Sequence, residues 1–379
     1  MMKSYGFTTI ADFLGDLIVY RKLEPMDSRL PRLRDFHEHL GMGRDVLPRK
    51  NEPAYARVIV HLLRLARALD APNVDLRRLI YVGDDRTGDG AAFNNLSRVG
   101  DWPGLAFIGA ETSDPTRVEV DEGPNRALVL ANRWSALYDF DALCAERGFP
   151  IDVHTAVVID LDKTALGARG RNDHVIDRAR MEAARRTLAD ALGRTLDPAA
   201  FERAYDHLNR SEFHPFTTDN QDYLVYLCLI LGTDLYDLES LVAALRKGKF
   251  TTFEQFIAAV DEQRGALQPG VRDLHDYVYD RIQRHDPTPF KDFRRREYEA
   301  ILAHMGRATG ILSVPLLLNE EVVITEEVRR MGRRWGERGA LLFGISDKPD
   351  EASLPSATLA AHGYPPLHRA VTRAVGTVD

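Results

Sequence analysis

The sequence predicts an α/β fold, a parallel sheet with helices on both faces, carrying one large all-helical insertion. Three observations carry this expectation. The first 170 residues hold short apolar runs that end at Gly, Asn or Asp, as buried parallel strands do. Between them Ala54–Leu69 repeats its apolar residues at helical spacing, with arginines on the opposite side. The strand signal then disappears from about 174 to 310 and returns only near the end.

Taken in order, the strand runs are Leu79–Val82, Leu105–Ile108, Ala127–Leu130 and Ala156–Ile159. The helical block reads as His174–Leu192, Pro198–Leu208, Gln221–Leu231, Leu238–Arg246, Phe253–Gln263, Val271–Gln283 and Phe290–Met305. Its breaks fall at Gly193, Gly232, Gly248, Gly265, Pro269 and the Pro287/Pro289 pair. A helix Glu326–Arg338 ends at Gly339, the strand Leu341–Ile345 follows, and a helix and a tail are expected from about 350. A helical block between two α/β stretches implies one core with an insertion: 1–172 as its first part, 173–320 as the insertion, 321–379 as its second part.

Length and composition agree. At 379 residues the chain exceeds one simple core. Its 50 Lys and Arg against 57 Asp and Glu leave a net charge of −7, so no nucleic-acid partner is expected. Two cysteines are too few for a disulfide framework, and the histidines show no HExxH pattern, so no zinc site is expected. The longest apolar run, Tyr223–Leu231, falls well short of the roughly 20 residues that span a bilayer. Asp12 and Asp16 interrupt the N-terminal apolar residues, which argues against a signal peptide. A cytoplasmic protein without a membrane partner is the expectation; composition leaves its oligomeric state open.

Four segments carry chemistry. Val157-Val158-Ile159-Asp160-Leu161-Asp162-Lys163-Thr164 delivers two carboxylates to the C-terminal end of a buried strand, where ligands bind in open α/β sheets. Such carboxylates can hold Mg²⁺ while one faces an electrophile; the plain alternative is an Asp-rich turn. Leu79–Val82 runs into Gly83-Asp84-Asp85-Arg86-Thr87-Gly88-Asp89, either a second acidic strand end on the same cation or a loop capping the next helix. Leu341–Ile345 ends at Ser346-Asp347-Lys348-Pro349, whose hydroxyl is a donor for a phosphate oxygen or an ordinary turn residue. Lys50 stands just before a long helix. Arg169, Arg171, Lys247, Lys249 and Arg294–Arg296 are further anion contacts to test, although most such residues are solvated. The aromatics Phe213, Phe216, Tyr223 and Tyr226 fit core packing better than a pocket.

Together these segments resemble the haloacid dehalogenase (HAD) superfamily, mostly Mg²⁺-dependent phosphatases on a Rossmann-like core. Asp160-Leu161-Asp162-Lys163-Thr164 is similar to the family's DxDx(T/V) motif, Ser346 to its Ser/Thr strand end, Lys50 to its lysine, and Asp84 with Asp89 to its spaced acids. GDDRT at 83–87 is also similar to trehalose-phosphate phosphatases, although Gly88 stands where they carry an acid. The order departs from the family: Lys and acids precede the first motif, and the Ser motif comes last. A circular permutation opened between the second and third core strands accounts for this, with the helical block falling where the family often inserts a cap. It requires the strand ending at Val82 beside the strand ending at Ile159, and the strand ending at Ile345 on the other side, all parallel. A rival keeps the family order, with Ser346–Glu351 as acid motif, Ser313 or Thr325 as second motif, and a separate N-terminal domain.

The resemblance implies a phosphohydrolase acting on a small phosphorylated metabolite. Asp160 would be the nucleophile and Asp162 the general acid and base. Ser346 and Lys50 would bind the phosphoryl oxygens, and Thr164 would order the loop beside them. Mg²⁺ would be held by Asp160, the Asp162 carbonyl and Asp84 or Asp89, with Asp85 a further possibility. A phosphotransferase or mutase using the same intermediate, or a non-catalytic HAD-like binding protein, are the alternatives.

Overall fold

The computed structural model describes every residue except 1, 45, 194–196, 234, 309, 311 and 378–379. Among the described residues the strands are β1 (Met2–Thr8), β2 (Ile18–Val19), β3 (Arg78–Gly83), β4 (Gly104–Gly109) and β5 (Val118–Gly123). They continue as β6 (Arg126–Ala131), β7 (Thr155–Asp160), β8 (Ile324–Thr325), β9 (Leu341–Ile345) and β10 (Thr372–Thr377). The chain divides into two compact units, 1–178 with 301–379, and 179–300. Residues 173–178 and 301–320, grouped with the helical block from sequence, thus belong to the larger unit.

The larger unit is an α/β layer. Its main sheet has seven strands in the order β2-β9-β7-β3-β4-β6-β5, parallel except for the antiparallel edge strand β5. The interior strand β7 is buried along its whole length, which explains its continuous apolar reading. Asp160 lies level with Ile345 on β9, and Ile159 level with Val82 on β3. The ends of β3, β7 and β9 therefore share one edge. Strands from both halves of the sequence make up this sheet, so the N-terminal half is not the separate domain that the rival reading needs.

Helices cover both faces. Pro53–Asp70, begun by a proline at its first position, packs with Gly88–Gly100 on the face that carries Tyr81, Val158 and Phe343. On the other face Phe107 meets Phe140 of Ala136–Glu146, and Phe140 meets Trp335 of Glu326–Glu337. Each fully buried Val, Ile or Phe in these layers contributes about 1.5–3 kcal/mol.

A second, three-stranded sheet runs β1-β10-β8. It corrects the expectation of a helix and a tail after 350. The one α-helix described there is the short Ala357–Ala361, and the chain ends in β10, antiparallel to β1 with Met2 opposite Thr377. Tertiary pairing supplied what local sequence did not: Thr372–Thr377 has no apolar run, and it pairs with β1 at the other end of the chain and with β8.

In the smaller unit, 179–300, the regular elements among the described residues are all helices. Asp197, Asn220, Asp237 and Thr252 each accept a backbone N–H at the start of a helix, caps worth about 1 kcal/mol apiece. Phe216, Tyr226, Phe253 and Phe256 form its aromatic core, with Tyr223 stacked on Phe253 at 3.9 Å. Arg294 is buried between Asp222 and Glu297, and Arg180 closes on Glu297. Arg295 pairs with Asp292 and Arg296 with Asp190, so all three arginines of the triplet are engaged within the unit.

Candidate functional site

The site is built around the end of β7. Asp160, Asp84 and Asp89 are all buried, and one oxygen from each lies within 4.8 Å of the others. Lys50 reaches this group from a turn 110 residues before Asp160 in sequence, its Nζ 2.5 Å from Asp160 Oδ1 and also paired with Asp89 Oδ1. Two neighbours hold that turn. Arg21 donates to the carbonyls of Pro48 and Leu47, at 2.7 and 3.1 Å, and Asn95 donates to the carbonyl of Asn51 at 2.9 Å.

The loop after β3 explains the Gly83-Asp84-Asp85 wording. A Cβ on Gly83 would collide with the Asp89 carboxylate, so glycine is what lets that group settle against the backbone. Asp89 Oδ2 accepts the N–H groups of Asp84 and Asp85 at 2.8 and 3.0 Å, while Oδ1 accepts Tyr81 Oη–H at 2.7 Å and the Lys50 ammonium. Four donors fill the lone pairs of one carboxylate. Asp84 is less occupied: Oδ1 accepts Thr164 Oγ1–H at 3.1 Å, and Oδ2 accepts Nε–H of Arg169. Asp85 turns away from the trio to accept the Gly88 N–H.

The loop after β7 is compact. The N–H groups of Leu166 and Arg169 donate to the carbonyls of Leu161 and Lys163, and Thr325 donates to the Thr164 carbonyl at 2.5 Å. Gly170 has φ +73, and a Cβ there would strike the Glu111 carbonyl. Thr164 is thereby aimed at Asp84. Asp162 stands outside the trio and pairs with Lys348 Nζ at 3.2 Å. Ser346, buried, follows the β9 residue level with Asp160, and its Oγ accepts the Lys348 N–H at 3.2 Å. Lys50 thus joins Asp160 to Asp89, Thr164 holds Asp84, and the three carboxylates lie together. Ser346 shares their strand edge, and Asp162 is tied to the Ser346 loop instead.

The electrostatics follow from burial. Burial raises Asp160 well above the usual carboxylate range; Lys50 opposes this, and Asp89 and Asp84 reinforce it. Burial, then the Asp89 charge, pushes Asp84 up to about 7 against the pull of Arg169. Asp89 moves the other way: burial would raise it, but Lys50, the backbone N–H groups and Tyr81 together hold it low. Burial alone would lower Lys50, yet the charges of Asp160 and Asp89 keep it well above its ordinary value. With all three carboxylates ionised, Lys50 and Arg169 would leave a surplus of one negative charge at the site. An all-oxygen donor set with surplus negative charge suits a hard divalent cation, and Asp84 and Asp160 are the carboxylates with coordinating capacity.

Sequence reasoning gave no role to Tyr81, Lys348 or the Arg169–Asp84 pair. Tyr81 read only as part of an apolar run. Lys348 was visible in Ser346-Asp347-Lys348, but nothing local directs it to Asp162. Arg171, a suggested anion contact, is buried between Glu327 and Glu111 and braces the core. A second group, Asp261, His275 and Asp276, comes together in the helical unit. His275 spends both ring nitrogens, Nδ1 on Tyr226 and Nε2 on Asp261, and Asp276 pairs with Arg264. Compared with protein-family models, curated proteins and solved structures, the chain matches none.

Proposed function

We propose that the protein is a Mg²⁺-dependent phosphohydrolase of small phosphorylated metabolites, working through an aspartyl-phosphate on a circularly permuted HAD-like core. One observation carries the reading: Asp160 ends an interior strand, and gathered around it are Lys50, Asp84 from the neighbouring strand end and Asp89 from the helix that follows. The permuted order requires β7 between β3 and β9, all parallel, and that is their arrangement.

Asp160 attacks phosphorus; the P–O ester bond breaks, and Asp162 gives its proton to the departing alkoxide. Water then attacks the aspartyl-phosphate, Asp162 takes its proton, and inorganic phosphate leaves with Asp160 restored. Lys348 fixes the Asp162 carboxylate beside the Ser346 loop. Lys50 spends two of its three N–H donors on Asp160 and Asp89, and the third serves a phosphoryl oxygen with Ser346 Oγ–H. A divalent cation, held by Asp160, Asp84 and the Asp162 carbonyl, would screen the anionic nucleophile from the anionic phosphate. Asp89 is kept for Lys50 by its four donors.

A panel of metabolite phosphates, assayed with and without Mg²⁺, tests this. Phosphate release should depend on Mg²⁺, and Asp160→Asn should lose about 10³-fold or more, since an amide cannot form the acyl-phosphate. Borohydride reduction should trap the intermediate at residue 160. Phosphate trapped on another residue, or turnover surviving in Asp160→Asn, would overturn the reading.

A further inference from the structure

Arg169 is bound in a way that the hydrolytic scheme does not use. Its backbone is pinned: its N–H donates to the Lys163 carbonyl at 2.7 Å, and its carbonyl accepts from Glu111 N–H at 2.9 Å and Trp134 Nε1–H at 3.2 Å. Its side chain is 42% exposed, and among the described residues the guanidinium makes one ion pair, to Asp84. The rest of the Arg169 fork is left for other acceptors. Asp84 divides its oxygens between Thr164, which points inward from the buried loop, and Arg169, which reaches it from the solvent side.

We infer that Arg169 is an exchangeable counter-ion: it neutralises Asp84 until a divalent cation takes that carboxylate, and then binds a second anionic group on the substrate. This role for Arg169 rests on the phosphohydrolase reading and narrows it to phosphomonoesters whose alcohol half carries a carboxylate or another anion. A cation and a guanidinium compete for one carboxylate oxygen, so occupancy by one weakens the other. The pinned backbone keeps a displaced guanidinium at the strand edge. A planar fork suits a carboxylate or phosphate partner.

The test uses the full chain. Titration calorimetry with Mg²⁺ should give about tenfold tighter binding for Arg169→Gln than for wild type, because a competing unit charge is gone. Arg169→Lys keeps the charge and should stay near wild type. In parallel, kcat/KM is compared for 3-phosphoglycerate and glycerol 3-phosphate, which differ in the carboxylate. Wild type should prefer the former, and Arg169→Gln should lose most of that preference. Equal or weaker Mg²⁺ binding by Arg169→Gln, tightening by Arg169→Lys to the same degree, or an unchanged preference would overturn the inference while leaving the hydrolase standing. No Mg²⁺ binding by wild type would overturn the metal reading, and this inference with it.

Discussion

Asp84 provides the sharpest test of the site's electrostatics. Its carboxyl rises from an ordinary 3.8 to about 7 because it is buried beside Asp89. At about 1.4 kcal/mol per pH unit, ionising it costs the folded chain about 4 kcal/mol more than the unfolded chain. That figure is a ceiling, since Asp160 shares the same protons. Between pH 4 and 7 the folded state binds the extra proton, so cation-free protein should lose stability as pH rises through that window. Asp84→Asn removes the titrating group and should flatten this part of the profile. Urea unfolding in EDTA, followed from pH 4.5 to 8.5 for both proteins, measures the difference in slope. Mg²⁺ added at pH 8 should stabilise wild type, as any ligand of the folded state does, and Asp84→Asn much less. Parallel profiles for the two proteins would refute the electrostatic account.

Three further outcomes follow from the same geometry. Lys50→Met leaves Asp89 and Asp160 facing each other without their shared cation, and should cost about 3–5 kcal/mol at pH 8 by urea unfolding. The loss should shrink at pH 5, where the carboxyls take up protons. Gly170→Ala forces a side chain into φ +73 and against the Glu111 carbonyl, an expected loss of about 2–4 kcal/mol in the same assay. Thr164→Val removes the hydroxyl donor to Asp84 and should cost about 1–2 kcal/mol above pH 7, with a smaller loss at pH 4.5, where that carboxyl is protonated.

Much of this protein is fixed by local sequence. The strands at 79–82, 105–108 and 156–159 are buried on both faces, and 127–130 all but Leu130, so apolarity runs unbroken and a short window reveals them. The helices from 173 to 303 announce themselves through periodicity, caps and Gly or Pro breaks, all of which act within a few residues. Asp160, Asp84 and Lys50 stood out because a charge at a strand end or a helix start is a local event. Their convergence is not local. It depends on β7 entering the sheet between β3 and β9, a pairing made by backbone hydrogen bonds that carry no side-chain signature. The same holds for β10, whose partner β1 lies at the opposite end of the chain. Tertiary structure alone decided that Lys50 joins Asp89 to Asp160, that Lys348 holds Asp162, and that Arg169 meets Asp84. Each of these is a contact between loops set side by side by the sheet, and burial there makes each charge answer to its neighbours rather than to water.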